Sequence, residues 1–226
     1  MYREFAAAPL DCLWVREVPA GGVTTEILPD GCSDLIWQAG RGAFVAGPDT
    51  GPLPVTSAPG AVLVGARFRP GTGGAALGLP LSELRDLRVD LDALRPDLAE
   101  QLHAELDPGE AMRRVAAVAT ALATAPADGA VAEAVRRLDR PRARVETLAD
   151  DLGLSERQLR RRCHAAVGYG PKTLARVLRF RRFLASAERD LARVALDAGY
   201  ADQSHLTREC TRLAGRPPAA LLAVRA

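Results

Sequence analysis

Arginines at helical spacing form the most chemically suggestive pattern in this chain. Arg157, Arg160, Arg161 and His164 stand at positions i, i+3, i+4 and i+7, so a helix would place them on one face. A helix about 10–12 Å wide fits the major groove of DNA, where an arginine can donate two hydrogen bonds to guanine O6 and N7. The alternative is an arginine-rich helix face that meets only solvent.

The residues before this stripe predict two helices joined by a tight turn. A first helix is predicted over 145–152, and Gly153 supplies the left-handed residue that a short turn requires. Ser155 is a good N-cap for the second helix, and Gln158 three residues later completes a capping box. This arrangement is typical of a helix-turn-helix unit, which favours the DNA-reading role over the solvated face.

The same skeleton occurs a second time, with one extra residue in its turn. The second reading helix is predicted to begin at Ala201 or Asp202. Its exposed N-terminal positions are Gln203, Ser204, His205, Thr207 and Arg208, with Arg212 one turn further on. The positions that match between the copies are Ala149 and Ala195, Gly153 and Gly199, Leu159 and Leu206, Cys163 and Cys210, Gly168 and Gly215, and Pro171 and Pro218.

An apolar stripe between the two copies predicts one long connecting helix, 171–187, which we call the strut. A rigid strut would hold two reading helices at a fixed separation. Two such helices can enter successive major grooves on one face of DNA, about 34 Å apart. The predicted target is therefore asymmetric, with two unlike half-elements.

Charge divides the chain into two unlike halves. Residues 1–128 carry 10 arginines against 17 acidic residues, whereas residues 129–226 carry 20 basic residues against 11 acidic ones. The resulting +9 on the second half favours a polyanionic partner, although a solvated basic surface would give the same count. The small residues of 124–130 predict the boundary, so we expect one domain over 1–128 and another over 129–226.

The first half is predicted to be rich in short strands. Strands are predicted over 12–18, 23–28, 34–38, 42–46 and 61–69, and helices over 81–87, 97–106 and 109–123. The apolar stripe of the last helix, 112–122, suits helix packing or a dimer seam. The predicted fold class is α+β, with a small barrel-like domain and following helices, then an all-α domain of two helix-turn-helix units joined by the strut.

The second half resembles the DNA-binding domain of AraC/XylS-type bacterial transcription regulators. The resemblance rests on "LADDLGLSERQLRRRC", "GPKTLARVLRFRR" and "VALDAGYADQSHLTRECTRLAGRPPAAL". It implies base contacts from Arg157, Arg160, Arg161, Gln203, Ser204, Thr207 and Arg208, and backbone contacts from Ser155, Lys172, Arg212 and the helix after Pro217. Cys163 and Cys210 depart from the family pattern, which places a large aromatic residue there. This departure implies looser packing or compensating bulk nearby, and the alternative role of the two cysteines is a thiol redox switch.

The first half resembles an uncharacterised N-terminal domain found before such DNA-binding domains, similar to a reduced cupin barrel. None of the three histidines lies in its β-rich part, so no metal and no cofactor are expected. Arg67 and Arg69, two residues apart on one strand, would hold an anionic effector together with Trp37 if they face inward. The alternative is a pair of arginines neutralised by nearby carboxylates.

Other functions fit the sequence less well. A DNA-repair methyl acceptor would need a zinc-held cysteine cluster that Cys12 and Cys32 cannot supply, and Cys32 with Asp34 has no nearby histidine to act as a base. No catalytic residue is therefore assigned. A non-specific architectural protein would not need two unlike reading faces.

No membrane span or signal peptide is recognisable, so we expect a cytoplasmic regulator. Its partners would be double-stranded DNA and, by the resemblance, RNA polymerase, a small-molecule effector or a second copy of the chain.

Overall fold

A computed structural model describes residues 1–188 and 190–223 of the 226-residue chain. Within these residues, no helix is both long and apolar enough to cross a membrane. The β-rich part comes first and the helical part follows, so the predicted α+β class is confirmed.

Eight strands build two sheets in the first half. The larger sheet is antiparallel, with strand order β1-β2-β7-β4-β5-β8, and the smaller one pairs β3 with β6. The strands are β1 Tyr2–Phe5, β2 Cys12–Glu17, β3 Val23–Ile27, β4 Ser33–Gln38, β5 Gly42–Ala46, β6 Leu53–Ser57, β7 Val62–Phe68 and β8 Arg88–Asp90. All five predicted strands are confirmed. The strands β1, β6 and β8 are additional.

The larger sheet has one face on a helical core and one on a cavity, because side chains alternate along a strand. On β4, Leu35 and Trp37 point into the core, whereas Ile36 points to the other face. The helix Pro108–Leu122, α4, packs on this core with buried residues that include Val115 and Val118. The apolar stripe that suited helix packing or a dimer seam is therefore used for packing inside the chain.

Eleven α-helices are described. The first four are α1 Gly73–Leu77, α2 Leu91–Leu94, α3 Pro96–Ala99 and α4 Pro108–Leu122. The helical half contains α5 Gly129–Leu138, α6 Leu148–Asp151, α7 Glu156–Val167, α8 Pro171–Ala185, α9 Leu191–Ala198, α10 Gln203–Ala214 and α11 Pro218–Ala223. Short 3₁₀ turns cover Leu81–Glu83 and Glu100–Leu102.

Three of the predicted helices differ from the structure. The helix predicted over 145–152 is shorter, α6 Leu148–Asp151, and the other two lie in the first half. The segment 81–87 makes only one 3₁₀ turn, because Asp86 adopts a left-handed backbone (φ 60°) and its carboxylate accepts the Thr50 N–H at 2.7 Å. The segment 97–106 ends at His103, which is extended and whose carbonyl accepts the Trp37 indole N–H at 2.9 Å. In both cases a distant contact overrides the local leucine spacing.

The helical half has its own core around the strut, α8. Its largest buried side chains are Phe180 and Phe183, with ring centroids 6.1 Å apart. These residues pack with the inward leucines and cysteines of both helix-turn-helix units, Leu159, Cys163, Leu206 and Cys210. The two units therefore share one continuous core rather than folding separately.

The two halves are in close contact through the C-terminal end of α7. A Cβ added to Gly74 would lie 2.4 Å from the Ala165 carbonyl oxygen, so only glycine allows this approach. Ion pairs join the halves as well: Arg181 of the strut donates to both oxygens of Asp11 at 2.9 Å, and Arg216 pairs with Glu26.

Candidate DNA interface

The first reading helix, α7, is built as its sequence predicts. The Ser155 hydroxyl accepts the Gln158 N–H at 3.2 Å, and the Gln158 side chain accepts the Ser155 N–H at 2.9 Å, which completes the predicted capping box. Leu159 and Cys163 are buried, so Arg157, Gln158, Arg160 and Arg161 lie on the exposed faces. The preceding turn uses Gly153 at φ 65°, as expected.

The second reading helix, α10, begins after a longer turn. The Asp202 carboxylate caps it by accepting the His205 N–H at 2.7 Å. The turn residue Tyr200 is buried, and the His205 ring lies edge-on against it at 5.3 Å. Nδ1 of His205 also accepts the Ala201 N–H, so this histidine belongs to the turn more than to the reading face that the sequence suggested.

Most residues of α10 that are predicted to contact DNA are exposed to solvent. Gln203, Ser204, Arg208 and Arg212 are exposed, and Lys172 is exposed at the start of the strut. Thr207 is half-buried and its hydroxyl already donates to the Gln203 carbonyl at 2.9 Å, which leaves it only as an acceptor for a base. The two reading helices thus present unlike surfaces.

The arginines that are predicted to contact DNA are distinguished by having no acidic partner among the described residues. Among the described residues, Arg157, Arg160, Arg161, Arg208 and Arg212 form no ion pair. Their neighbours differ: Arg162 pairs with Asp128 at 3.3 Å, and Arg176 of the strut pairs with Glu209 at 2.6 Å. Unpaired, exposed guanidinium groups are available to phosphates and to guanine edges.

The two cysteines that replace the family's aromatic residues are fully buried. Burial raises the pKa of the Cys163 thiol to about 12 and that of the Cys210 thiol to about 12. Thiols held protonated in this way are poor nucleophiles and react slowly with oxidants. Both residues act as small apolar side chains that let each reading helix approach the core.

A cavity of about 750 Å³ lies between the two sheets of the first half. Its apolar wall includes Trp14, Ile36, Phe44 and Leu63. The Trp14 indole packs directly against Gly65, where an added Cβ would lie 2.1 Å from its ring. This size is in the range of sites for small organic ligands.

The cavity also receives residues from the helical half. Leu184, at the end of the strut, and Arg216 and Leu221, around the start of α11, line it together with the sheet residues. A molecule that fills the cavity would therefore contact both halves of the chain.

The three residues expected to bind an anion are not brought together. Trp37 is fully buried on the opposite face of the sheet, and Arg69, beyond the end of β7, donates to the Leu10 carbonyl at 3.1 Å. Only Arg67 lines the cavity, where carboxylates of Asp34, Asp30 and Glu4 lie 3.3, 3.4 and 3.5 Å from its guanidinium nitrogens. Its charge is therefore already neutralised by these carboxylates.

Asp34 is the most perturbed carboxyl group of the cavity. It accepts the Trp14 indole N–H at 2.8 Å and the Arg67 Nε–H at 3.3 Å, and its side chain is 14% exposed. Burial raises the pKa of Asp34 to about 6, and the neighbouring Asp30 carboxylate contributes in the same direction. Arg67 opposes the shift but does not cancel it.

This raised pKa predicts a pH-dependent stability. A carboxyl group that binds its proton more tightly when folded stabilises the fold fully below its unfolded pKa, and this contribution is lost as the pH rises through its folded pKa. The contribution of Asp34 to the free energy of unfolding should therefore fall between about pH 4 and pH 6. Urea denaturation of wild type and Asp34→Asn across pH 4–8 measures it. A wild-type-minus-variant difference that stays constant over that range would contradict the assignment.

The described residues contain no group of three or more His, Cys, Asp or Glu side chains arranged to hold a metal ion. The four cysteines, Cys12, Cys32, Cys163 and Cys210, are separate and buried.

Comparison with known proteins agrees with this geometry. Residues 148–223 match the family model of a helix-turn-helix domain, and residues 7–90 match a domain of unknown function (DUF6597). No curated protein sequence matches the chain significantly.

Similar solved structures include those of ToxT from Vibrio cholerae. The ligand-free form of a single-residue variant is 10% identical, with 94% of this chain and 96% of that chain covered and a TM-score of 0.49. ToxT of strain O395 is 10% identical, with 93% and 96% covered and a TM-score of 0.49. Such distant likeness bears on neither function nor site residues, which rest on the contacts described above. Residues 148–223 are therefore similar to a helix-turn-helix domain, and the β-rich residues 7–90 are similar to a domain of unknown function.

Proposed function

We propose that the protein is a cytoplasmic, sequence-specific transcription regulator that reads two successive major grooves of duplex DNA. The observation that carries the proposal is the pair of capped, exposed helices with unpaired arginines on one strut. Phosphates would be neutralised by Lys172, Arg212 and the arginines that do not reach bases, so affinity should fall steeply with salt. RNA polymerase is a further proposed partner, in keeping with regulation at promoters.

The unlike faces of the reading helices favour sequence reading over non-specific coating. One face offers Arg157, Arg160 and Arg161, which suit guanine, whereas the other offers Gln203 and Arg208. A protein that coats DNA by charge alone has no use for this difference.

Binding rather than catalysis is the proposed activity of the chain. A methyl-acceptor role would need a reactive thiolate, but burial raises the pKa of Cys12 to about 11 and that of Cys32 well above the usual value. We also propose that the two domains cover 1–128 and 129–226. This boundary agrees with the separate hydrophobic clusters of the two halves.

The test is titration of the full-length protein with its own upstream intergenic DNA and with a shuffled duplex of equal length. We expect a preference of about 100-fold or more for the native duplex, as is usual for specific over non-specific binding. Equal affinity for both duplexes at two salt concentrations would contradict the proposal.

A second proposal concerns regulation: a small molecule in the cavity modulates DNA binding. Leu184, Arg216 and Leu221 of the helical half line the cavity, and the C-terminal end of α7 packs on the first half near Gly74. A ligand that moved these contacts would change the position of a reading helix. Self-association would need a surface other than the buried stripe of α4.

This second proposal is tested by thermal-shift screening of metabolites on the full-length protein. A bulky Leu63→Trp substitution should project into the cavity and weaken any stabilisation, whereas Leu87→Trp, at an exposed position outside the cavity, should not. A compound that stabilises both variants equally binds elsewhere.

A further inference from the structure

The loop between α5 and α6, residues 139–147, carries three arginines that the reading helices do not account for. We call it the arginine loop. Arg140, Arg142 and Arg144 are all exposed, and none of them forms an ion pair or a side-chain hydrogen bond with the described residues. Three unpaired guanidinium groups within five residues make a strongly positive patch.

The distribution of ion pairs separates this patch from the other arginines of the helical half. Arg136, Arg137, Arg162 and Arg193 each have an acidic partner within 4.0 Å. Among the described residues of 129–223, the exposed arginines without an acidic partner are Arg157, Arg160 and Arg161 on α7, Arg208 and Arg212 on α10, and the three of the arginine loop. The loop thus shares with the reading helices the property that suits them to a polyanion.

The arginine loop is fixed directly beside the turn that begins the second reading helix. A Cβ at Gly199 would lie 3.1 Å from the Arg142 backbone nitrogen and 3.4 Å from Pro141 Cα, so the loop packs on this turn. Arg182 of the strut joins them: it donates to the Leu138 carbonyl at 3.3 Å and to the Ala198 carbonyl at 3.0 Å. The loop therefore moves with the N-terminal end of α10.

The backbone of the loop also points to a held conformation. Arg142 has φ 60°, which is uncommon for a residue other than glycine and persists only where its surroundings hold it. The contact with the Gly199 turn provides that support. The three side chains consequently project from a defined position rather than from a free chain.

We propose that the arginine loop is a third DNA contact, which binds phosphates of the duplex beside the groove that α10 reads. The inference rests on the proposed DNA-binding function. An arginine side chain is long enough to reach a phosphate flanking the groove next to the turn. Phosphates carry no sequence information, so the loop contributes affinity and register but not base discrimination.

The test is the salt dependence of DNA binding by a triple variant, Arg140→Ala, Arg142→Ala and Arg144→Ala, in the full-length protein. Dissociation constants for the native and shuffled duplexes are measured between 50 and 200 mM salt. We expect weaker binding to both duplexes by a similar factor, with their ratio preserved. The slope of log K against log salt should become shallower by about 0.9 for each phosphate that is no longer neutralised, and thus by up to about 3.

A matched control removes the same charge from ion-paired positions of the same half: Arg136→Ala, Arg137→Ala and Arg193→Ala. A second variant, with lysine at all three loop positions, keeps the charge and should keep most of the slope. An equal change in the control, or an unchanged slope in the loop variant, would overturn the inference.

The outcome also separates this inference from the proposed function. If the wild-type protein does not prefer its native duplex, the proposed function fails. If it prefers that duplex but the loop variant binds with the wild-type slope, only the loop inference fails. Unfolding temperatures of all variants check that each remains folded.

Discussion

Replacement of Arg161 by alanine is expected to weaken binding to the native duplex by about 5- to 150-fold, while binding to a shuffled duplex changes much less. This range corresponds to about 1–3 kcal/mol, the usual discrimination of one bidentate arginine–guanine pair. Arg161 is exposed on α7 and has no ion pair among the described residues, so its removal costs the free protein little. The substitution should therefore lower the ratio of the affinity for the native duplex to the affinity for the shuffled duplex.

The matched control is the next residue of the same helix. Arg162→Ala removes the same charge, but its side chain turns back to Asp128 at 3.3 Å and is occupied inside the chain. We expect it to lower the unfolding temperature slightly and to leave the ratio of native to shuffled binding unchanged. A ratio that falls equally in both variants would mean that charge, and not base reading, accounts for the effect.

The corresponding change on the second helix, Arg208→Ala, separates the two half-elements of the target. Its binding defect should be relieved by base changes in one half of the native duplex, whereas the defect of Arg161→Ala should be relieved only by changes in the other half. Mutant duplexes altered one half at a time measure this difference. Identical behaviour of the two variants would contradict two separate reading helices.

The second large expected effect concerns the strut. Phe183→Ala should lower the free energy of unfolding by about 3–5 kcal/mol, the usual cost of removing a fully buried aromatic side chain. Phe183 lies in the core shared by both helix-turn-helix units, beside Phe180. The substitution should therefore also abolish binding to both half-elements. A smaller decrease of about 1 kcal/mol is expected for Phe183→Leu, which keeps most of the apolar volume.

Urea denaturation followed by circular dichroism measures this effect, with Phe5→Ala as the control. Phe5 lies on the edge strand β1 and is 45% exposed, so its removal should cost little. A decrease below about 1 kcal/mol in Phe183→Ala would show that the strut does not carry the stability of the helical half.

The strands show where local pattern is sufficient and where it is not. The five predicted strands are β-branched or aromatic runs bounded by turn formers, and all five form. The sequence does not predict the strand β6, because Pro54 weakens its strand signal. In the structure this strand lies in a two-stranded sheet, where a proline is tolerated. The strands β1 and β8 are four and three residues long, too short to show a period.

The candidate site residues also divide into those that local sequence signals place correctly and those that they do not. Local signals were enough to place both reading helices, because caps and turn glycines act within a few residues of Ser155, Gly153, Asp202 and Gly199. No local signal could tell that Trp37 faces the helical core while Trp14 faces the cavity, since both lie on strands with similar neighbours. The side of a sheet that is covered by helices depends on the whole chain.

By itself, the sequence determined the duplicated helix-turn-helix units, the strut between them and the positive charge of the second half. These features depend on contacts within one or two helical turns and on composition, both of which can be read directly. The tertiary structure alone decided which arginines are free. Arg67 is neutralised by three carboxylates from two distant segments, whereas Arg157 and Arg161 have no acidic partner among the described residues. Availability of a charge depends on which carboxylates the fold brings near it, and that is a property of packing.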